Sequence, residues 1–294
     1  MKAPRFSVIV PTRARLPQLR RCLAALAGQT IAREAFEVVV VNDGSPPLPD
    51  EALAMYLERL TIRSIRQDWG GPASARNTGI WEAQGEYLAF TDDDCAPAPD
   101  WLASLDAVLR DAPDALVGGH VRNALPDNVF AETSQLLIDF LYDRFDAAAT
   151  RGPRFFTSNN CAGAAAHFRA LGGFDANFRL PAGEDRDLTD RWYAAGLPQQ
   201  YLRDALVYHH SVMTLRSFTR QHLNYGRGAW RFHQARAQRK AGARKTEPLQ
   251  FYVGMLTYPL RDGRASGSIV HVALLAWSQV VHTVGYVLAK VRWR

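Results

Sequence analysis

Apolar runs separated by short polar breaks follow one another along about the first 95 residues in a strand, helix, strand, helix order. Phe6 to Val10 is a β-rich run ending in Pro-Thr-Arg, and Leu16, Leu19, Leu23 and Leu26 then recur at helical spacing until Gly28. Phe36-Glu-Val-Val-Val-Val41 is apolar almost throughout, as a strand is when both faces of a parallel sheet are covered, and Asn42-Asp-Gly-Ser-Pro-Pro47 ends it in a turn. A helix from about Asp50 to Leu60, a strand over Thr61 to Ile65, a loop at Asp68-Trp-Gly-Gly-Pro72, a helix over Ala73 to Gln84 and a strand over Tyr87 to Phe90 continue the series. Such alternation predicts an α/β layered fold with a parallel sheet and crevices at the carboxyl ends of its strands. Trp101 to Arg110 reads as a helix, Ala115 to Val121 as a strand, residues 130 to 150 as helical, and Glu184-Asp-Arg-Asp-Leu188 as the start of a helix through Trp192.

The pattern changes after residue 212. Placed on a helix, Arg216, Arg220, Arg227 and Arg231 fall within about 60° of one another, with Leu215, Phe218, His222, Tyr225, Ala229 and Phe232 opposite. This is a basic amphipathic helix that Gly226 and Gly228 should weaken or break. Phe251 to Leu260 and Ser268 to Ala289 are apolar. The second is long enough to span a bilayer, but His271, Gln279 and His282 make insertion costly. Association in the membrane plane, or a hairpin partly inserted from the cytosolic side, is expected; helices docked on the preceding domain are the alternative.

Composition bounds the partners. The chain has 294 residues, 47% of them hydrophobic, enough for a sizeable core, and only three cysteines, too few and too scattered for a disulfide framework. The net charge of +6 is unevenly spread: from residue 205 onward there are 14 Lys/Arg against Glu247 and Asp262, leaving 21 basic and 27 acidic residues before it. A basic end of this kind meets something anionic. No nucleic-acid recognition module is visible, so a membrane surface is favoured. Met1 to Pro11 lacks a signal-peptide pattern, so a cytoplasmic chain, peripheral at the cytoplasmic membrane face, is expected.

Two acidic clusters carry the candidate chemistry. Asp92, Asp93 and Asp94 follow a strand directly; three adjacent carboxylates repel one another, and a divalent cation is a common way of cancelling that cost, though a solvated turn capping the helix near Asp100 fits too. Glu184, Asp185 and Asp187 form the second cluster, readable as a catalytic base with its supports or as acids favouring a helix amino terminus. Asp43 lies where a crevice would open beyond a buried strand, or simply makes an Asp-Gly bend. His209 and His210 follow the apolar run Ala205 to Tyr208 and point opposite ways on a strand, so at most one is a ligand.

Pro11-Thr-Arg13, Val41-Asn-Asp-Gly-Ser45, Ala75-Arg-Asn-Thr-Gly-Ile80, Gly85-Glu-Tyr-Leu-Ala-Phe-Thr-Asp-Asp-Asp94, Gly172-Gly-Phe-Asp175 and Gly183-Glu-Asp-Arg-Asp-Leu188 occur in this order over roughly residues 5 to 210. Together they resemble the inverting nucleotide-sugar glycosyltransferases of family 2, which have the GT-A fold, a Rossmann-like, mainly parallel sheet flanked by helices. The resemblance implies a catalytic domain over 1–212 and fades beyond it; composition and periodicity are what mark 213–294 as a basic, helical, membrane-associating region. It implies that Pro11, Thr12 and Arg13 wrap the donor's base, that Asp43 hydrogen-bonds a base that is commonly uracil, and that Arg76 meets phosphate or base oxygens. Asp92 would contact ribose or sugar hydroxyls, Asp94 would hold Mn²⁺ or Mg²⁺, and Asp93 would share either task. Many members complete the metal site with a histidine at this stage of the chain, and His210 is the choice here. Asp185 would be the base and Glu184 would orient the acceptor. The Gln-x-x-Arg-Trp motif of processive members is missing from Arg220-Gln-His-Leu-Asn-Tyr-Gly-Arg-Gly228, which implies transfer of a single sugar. The expected function is metal-dependent, inverting transfer from a nucleoside diphosphate sugar, UDP-linked by resemblance, to a lipid-linked or envelope-precursor acceptor. A nucleotidyltransferase, against which the glycine-free loop Pro11-Thr-Arg-Ala-Arg15 argues, and a non-catalytic membrane-bound scaffold are the alternatives.

Overall fold

A computed structural model describes residues 3–147, 153–180, 182–239, 247–261 and 268–292. Eight strands form one sheet in the order β3-β2-β1-β4-β7-β6-β8-β5: β1 (Phe6–Thr12), β2 (Phe36–Asp43), β3 (Ile62–Gln67), β4 (Tyr87–Phe90), β5 (Cys95–Pro97), β6 (Leu116–Asn123), β7 (Cys161–Ala164) and β8 (Gln199–His209). β3, β2, β1 and β4 run parallel, which is the half that the alternating pattern predicts. Beyond β4 the pairings β4/β7, β6/β7 and β5/β8 are antiparallel. The eleven-residue β8 exceeds the apolar run Ala205 to Tyr208, since its first half consists of exposed and half-buried residues with no regular alternation.

Alternate side chains of each parallel strand feed two separate cores. Phe6, Val8, Val10, Val38 and Val40 face α1 (Leu16–Leu26), through Leu19, Leu23 and Leu26, and α4 (Trp101–Asp111), through Trp101, Leu105 and Leu109. Ile9, Val39, Val41, Leu88 and Phe90 face the other way, onto α3 (Pro72–Glu82), α6 (Ala165–Ala170) and α7 (Glu184–Ala194), where Ile80, Phe168, Leu188 and Trp192 are buried. Each such side chain contributes about 1.5–3 kcal/mol, so the register that sorts them is strongly fixed. Asn160, fully buried, accepts from the Trp101 indole and donates to the carbonyls of His120 and Ala205, tying β6, β8 and α4 together. The helix expected over 50–60 is short, α2 (Asp50–Ala54).

The chain forms two compact units, and the division is not one cut at residue 212. The first holds residues 1–122, 152–179 and 184–210; the second gathers 123–151, 180–183 and 211–294. In the second, α5 (Val129–Ala147) joins α8 (Leu215–Gln238), α9 (Leu249–Arg261) and α10 (Ser268–Arg292) around Ala131, Met213 and Phe218. α8 begins at a capping box in which Thr214 and Ser217 bond each other's backbone N–H. It runs unbroken through Gly226 and Gly228, contrary to the expected break. A Cβ at Gly226 would strike the carbonyl of His282, and one at Gly228 the carbonyl of Ala182, so both glycines serve close packing. Of the basic tail, Lys240, Arg244, Lys245, Arg264 and Arg294 lie outside the described residues.

Candidate active site

Strand register brings the first acidic cluster to the amino-terminal loop. Ile9 pairs with Phe90 across β1 and β4, so the third residue beyond each meets its counterpart: Thr12 donates its hydroxyl to Asp93 Oδ2 at 2.7 Å. Arg15, just before α1, reaches the same group, with Nε 3.1 Å from Asp93 Oδ2, a second contact to Asp93 Oδ1, and Nη1 3.0 Å from Asp94 Oδ2. Burial raises the Asp93 pKa to about 6 even though Arg15 and Thr12 oppose the shift. Ala14, in the same loop, has φ of 53°, a conformation that costs a non-glycine residue energy, and its N–H bonds Ser45 Oγ at 3.1 Å.

Arg76 connects the two clusters. Buried in α3, it donates to Asp92 Oδ1 at 2.7 Å and to Glu184 Oε1, at the start of α7, at 3.2 Å, and lies over the Phe174 ring. Burial alone would lower its pKa, but Asp92 and Glu184 outweigh that and hold it charged. Burial, then the charge of Asp185, raises Glu184 to about 7 despite Arg76. Asp185 is half-buried, accepts the Arg186 N–H at 2.8 Å, and is likewise raised by burial. Asp187 is committed elsewhere: it receives Arg191 at 2.7 Å within α7.

β8 delivers a histidine to the first cluster, and it is His209 rather than the expected His210. Cys95 pairs with His209 in the antiparallel β5/β8 register, placing His209 Nε2 3.4 Å from Asp94 Oδ1, while the backbone N–H of His210 donates to the Asp94 carbonyl at 2.8 Å. The imidazoles on adjacent strand residues point apart, so only one can meet Asp94. Burial works to raise Asp94, but the bond and charge of His209, with Arg15, hold it well below the usual carboxylate range; His209 is raised in return, its burial outweighed by Asp94. Among the described residues Asp94, Cys95 and His209 form one group with metal-ligand spacing. The buried Cys95 thiol is pushed far up by burial and by Asp94 and Asp92, so it stays protonated. What remains is a carboxylate and an imidazole, donors that suit Mn²⁺ and, less well, Mg²⁺.

Asp43 ends β2 as a buried acceptor. Its carboxylate receives Gln67 Nε2 at 2.8 Å and the N–H groups of Gly70 at 2.8 Å and Gly71 at 2.9 Å, which shapes the 68–71 loop. One acceptor position is left of the four that a carboxylate offers. Gly44, with φ of 72°, has no side chain to collide with Trp69, whose half-exposed ring carries the Arg13 guanidinium 5.4 Å from its centroid. Pro11 closes the same β1 end, paired in register with Val41.

Thr12, Arg76, Asp92, Asp93, Asp94, Glu184 and Asp185 thus converge, and Asp43 and Arg13 flank the adjoining loop. Arg15 and Trp69 were missed, and His209 was weighed against His210 and passed over. An arginine three residues after the β1 end and a tryptophan between Asp68 and Gly70 were visible signals, but only register and loop geometry show what they touch.

Comparison with known proteins bears on the family and the fold. The description "Glycosyl transferase family 2" matches residues 7–171, more than half of the chain. Validoxylamine A glucosyltransferase of Streptomyces hygroscopicus subsp. jinggangensis is 33% identical over 229 residues, covering 69% of this chain and 54% of the relative. The pre-mycofactocin glycosyltransferase of Mycobacterium tuberculosis is 28% identical over 76% of this chain and 46% of its own length. The chain therefore spans about half the length of these curated relatives. A mannosyltransferase from Pyrobaculum calidifontis in complex with GDP-Man and Mn²⁺ superposes with a TM-score of 0.64 at 21% identity, over 98% of this chain and 86% of that one. S. aureus TarS 1–349 with UDP-GlcNAc gives 0.53 at 18% identity, over 99% and 91%. These structures share the fold.

Proposed function

The chain belongs to glycosyl transferase family 2, and from that premise we propose that it moves one sugar, with inversion, from a nucleoside diphosphate sugar to an acceptor hydroxyl, with a divalent cation bound at Asp94 and His209. The observation that carries the proposal is Arg76, which joins Asp92 of the first cluster to Glu184 of the second and so sets a donor end and an acceptor end side by side. The cation, when bound, neutralises charge on the departing diphosphate.

This chain's residues perform the rest. Asp92 bonds ribose or sugar hydroxyls, Asp93 is positioned by Thr12 and Arg15, and Arg15 and Arg76 present guanidinium N–H groups toward phosphate oxygens. Asp43 has one acceptor position left for the imide N–H of a base; uracil offers one, which favours a UDP-linked donor. Asp185 takes the acceptor proton as the acceptor oxygen bonds the anomeric carbon. The bond from that carbon to the phosphate oxygen breaks, and its electron pair leaves on the diphosphate. Glu184 lies beside it to orient the acceptor. The acceptor is proposed to be lipid-linked or an envelope precursor, met at the cytoplasmic membrane face through the basic helical region.

Hydrolysis of UDP-sugars by wild type and Asp94→Ala, each with and without Mn²⁺, tests the assignment. Wild type should gain at least tenfold from Mn²⁺ and the variant should gain nothing. An equal response in both removes Asp94 from the metal site.

A further inference from the structure

Polarity along α10 is inverted. Its buried side carries His271, Leu275, Ser278, Val281 and Gly285, with His271 Nδ1 2.8 Å from Thr133 Oγ1 of α5. Its exposed side carries Ile269 beside Val270 and then, at intervals of three and four residues, Ala273, Trp277, Val280, Val284, Val287 and Val291, of which Ile269 is 82% and Val291 69% exposed. Helices facing water are arranged the other way round. A stripe running along a helix of 25 residues is more than scattered surface apolarity. α8 and α10 also meet backbone to backbone: a Cβ at Gly285 would strike the Leu223 carbonyl, the small-residue contact that helices use when apolar surroundings give no drive to pair.

Among the described residues, Ile269–Arg292 within α10 is the one helix long and apolar enough to cross a membrane. Its neighbour argues against crossing. Trp277 donates to Thr219 of α8 at 3.1 Å, and Tyr286 packs on Trp230 at 5.4 Å, so α8 lies alongside α10. A crossing would carry Arg216, Arg220, Arg227 and Arg231 to bilayer depth, where guanidinium groups are costly. Those four arginines form a stripe roughly 100° around α8 from the side that meets α10, which suits headgroups beside an embedded neighbour. Neither α8, α9 nor α10 contains an acidic residue. A second copy would bring basic helices against basic helices, whereas an anionic lipid surface answers both the charge and the apolar stripe.

We propose that the outer face of α10 is an interfacial docking surface that lies in the plane of an anionic bilayer, its apolar stripe among the upper acyl chains and the arginines of α8 at the phosphate level. This rests on the membrane association proposed above and fixes its geometry and lipid class. The test is flotation of the full chain with phosphatidylcholine vesicles, with and without phosphatidylglycerol. Binding to the anionic vesicles is expected to be at least tenfold stronger, to weaken in high salt and to be reversed by alkaline carbonate. Val280→Glu with Val284→Glu should lose it at least tenfold, and Arg216→Gln with Arg220→Gln should weaken it while the circular dichroism spectrum stays the same. Equal binding to neutral vesicles, retention through carbonate, or a dimer in sedimentation that the glutamates dissolve without any vesicle binding overturns the proposal. UDP-sugar hydrolysis followed in the same samples separates the two readings: flotation without hydrolysis defeats glycosyl transfer alone.

Discussion

Replacing Asp185 with Asn tests the acceptor end of the site, because the change keeps the shape of the side chain and removes its ability to take a proton. Among the groups described, Asp185 touches no residue of the donor cluster directly; its bond is to the Arg186 N–H at the start of α7. The affinity for UDP with Mn²⁺ should therefore change less than twofold. Transfer should fall by about 10² to 10⁴, the range that a positioned base supplies, which is at least about 2.7 kcal/mol of transition-state stabilisation. Stability should move in the opposite direction. Glu184 has its pKa raised from 4.5 to about 7, and Asp185 is raised too. Groups raised in this way hold protons more tightly in the fold than in the unfolded chain, so wild-type stability falls as pH rises from the ordinary carboxylate range to about 7. In Asp185→Asn one such group is gone, and Glu184 loses the neighbouring charge that helps push it up. Each pKa unit recovered is worth about 1.4 kcal/mol. Melting temperatures at pH 5 and pH 8, with transfer rates and UDP titrations, give the result: the variant should melt higher than wild type at pH 8, with a smaller difference at pH 5. Turnover above a tenth of wild type removes Asp185 as base. A loss of UDP affinity matching the loss of rate places it at the donor end instead.

His209→Ala should weaken Mn²⁺ binding by tenfold or more in a titration with UDP present, whereas His210→Ala should leave it within twofold; the reverse ranking returns the metal site to His210. Trp69→Ala should raise the donor KM about tenfold and abolish any quenching of tryptophan fluorescence by UDP, since stacking of a base on an aromatic ring is worth about 1–3 kcal/mol. An unchanged KM shows that the ring lies away from the base.

The parallel half of the sheet was legible because buried strands such as Val38 to Val41 are apolar on both faces, and the helices of α1 and α4 declare themselves by spacing. Of the antiparallel half, β6 was read from Ala115 to Val121, but its pairing and most of its neighbours were not. β5 is only three residues long, and β8 owes its first half to pairing rather than to an apolar run. That difference explains the histidine: which of two neighbours faces Asp94 depends on the pairing of Cys95 with His209, a long-range fact that no local pattern carries. Arg15 eluded the reading for the same reason, since its partners lie 78 and 79 residues away. The Gly226 and Gly228 pair misled in the other direction. Helix propensity counts glycine as a weakness, whereas here tertiary contact with His282 and Ala182 requires it. Asp92, Asp93, Asp94, Glu184 and Asp185 drew notice as acidic clusters at strand and helix ends, but each cluster alone also fits a solvated turn or a helix cap, and only the ordered set of motifs around them pointed to a site.

Inversion at the anomeric carbon with Asp185 as base is open to direct measurement, because water can stand in for the acceptor. Proton NMR of the sugar first released from an α-linked UDP-sugar with Mn²⁺, read before mutarotation, should show the β anomer, and Asp185→Asn should not produce it at a measurable rate. Release of the α anomer, or β release that persists unchanged in Asp185→Asn, contradicts the account.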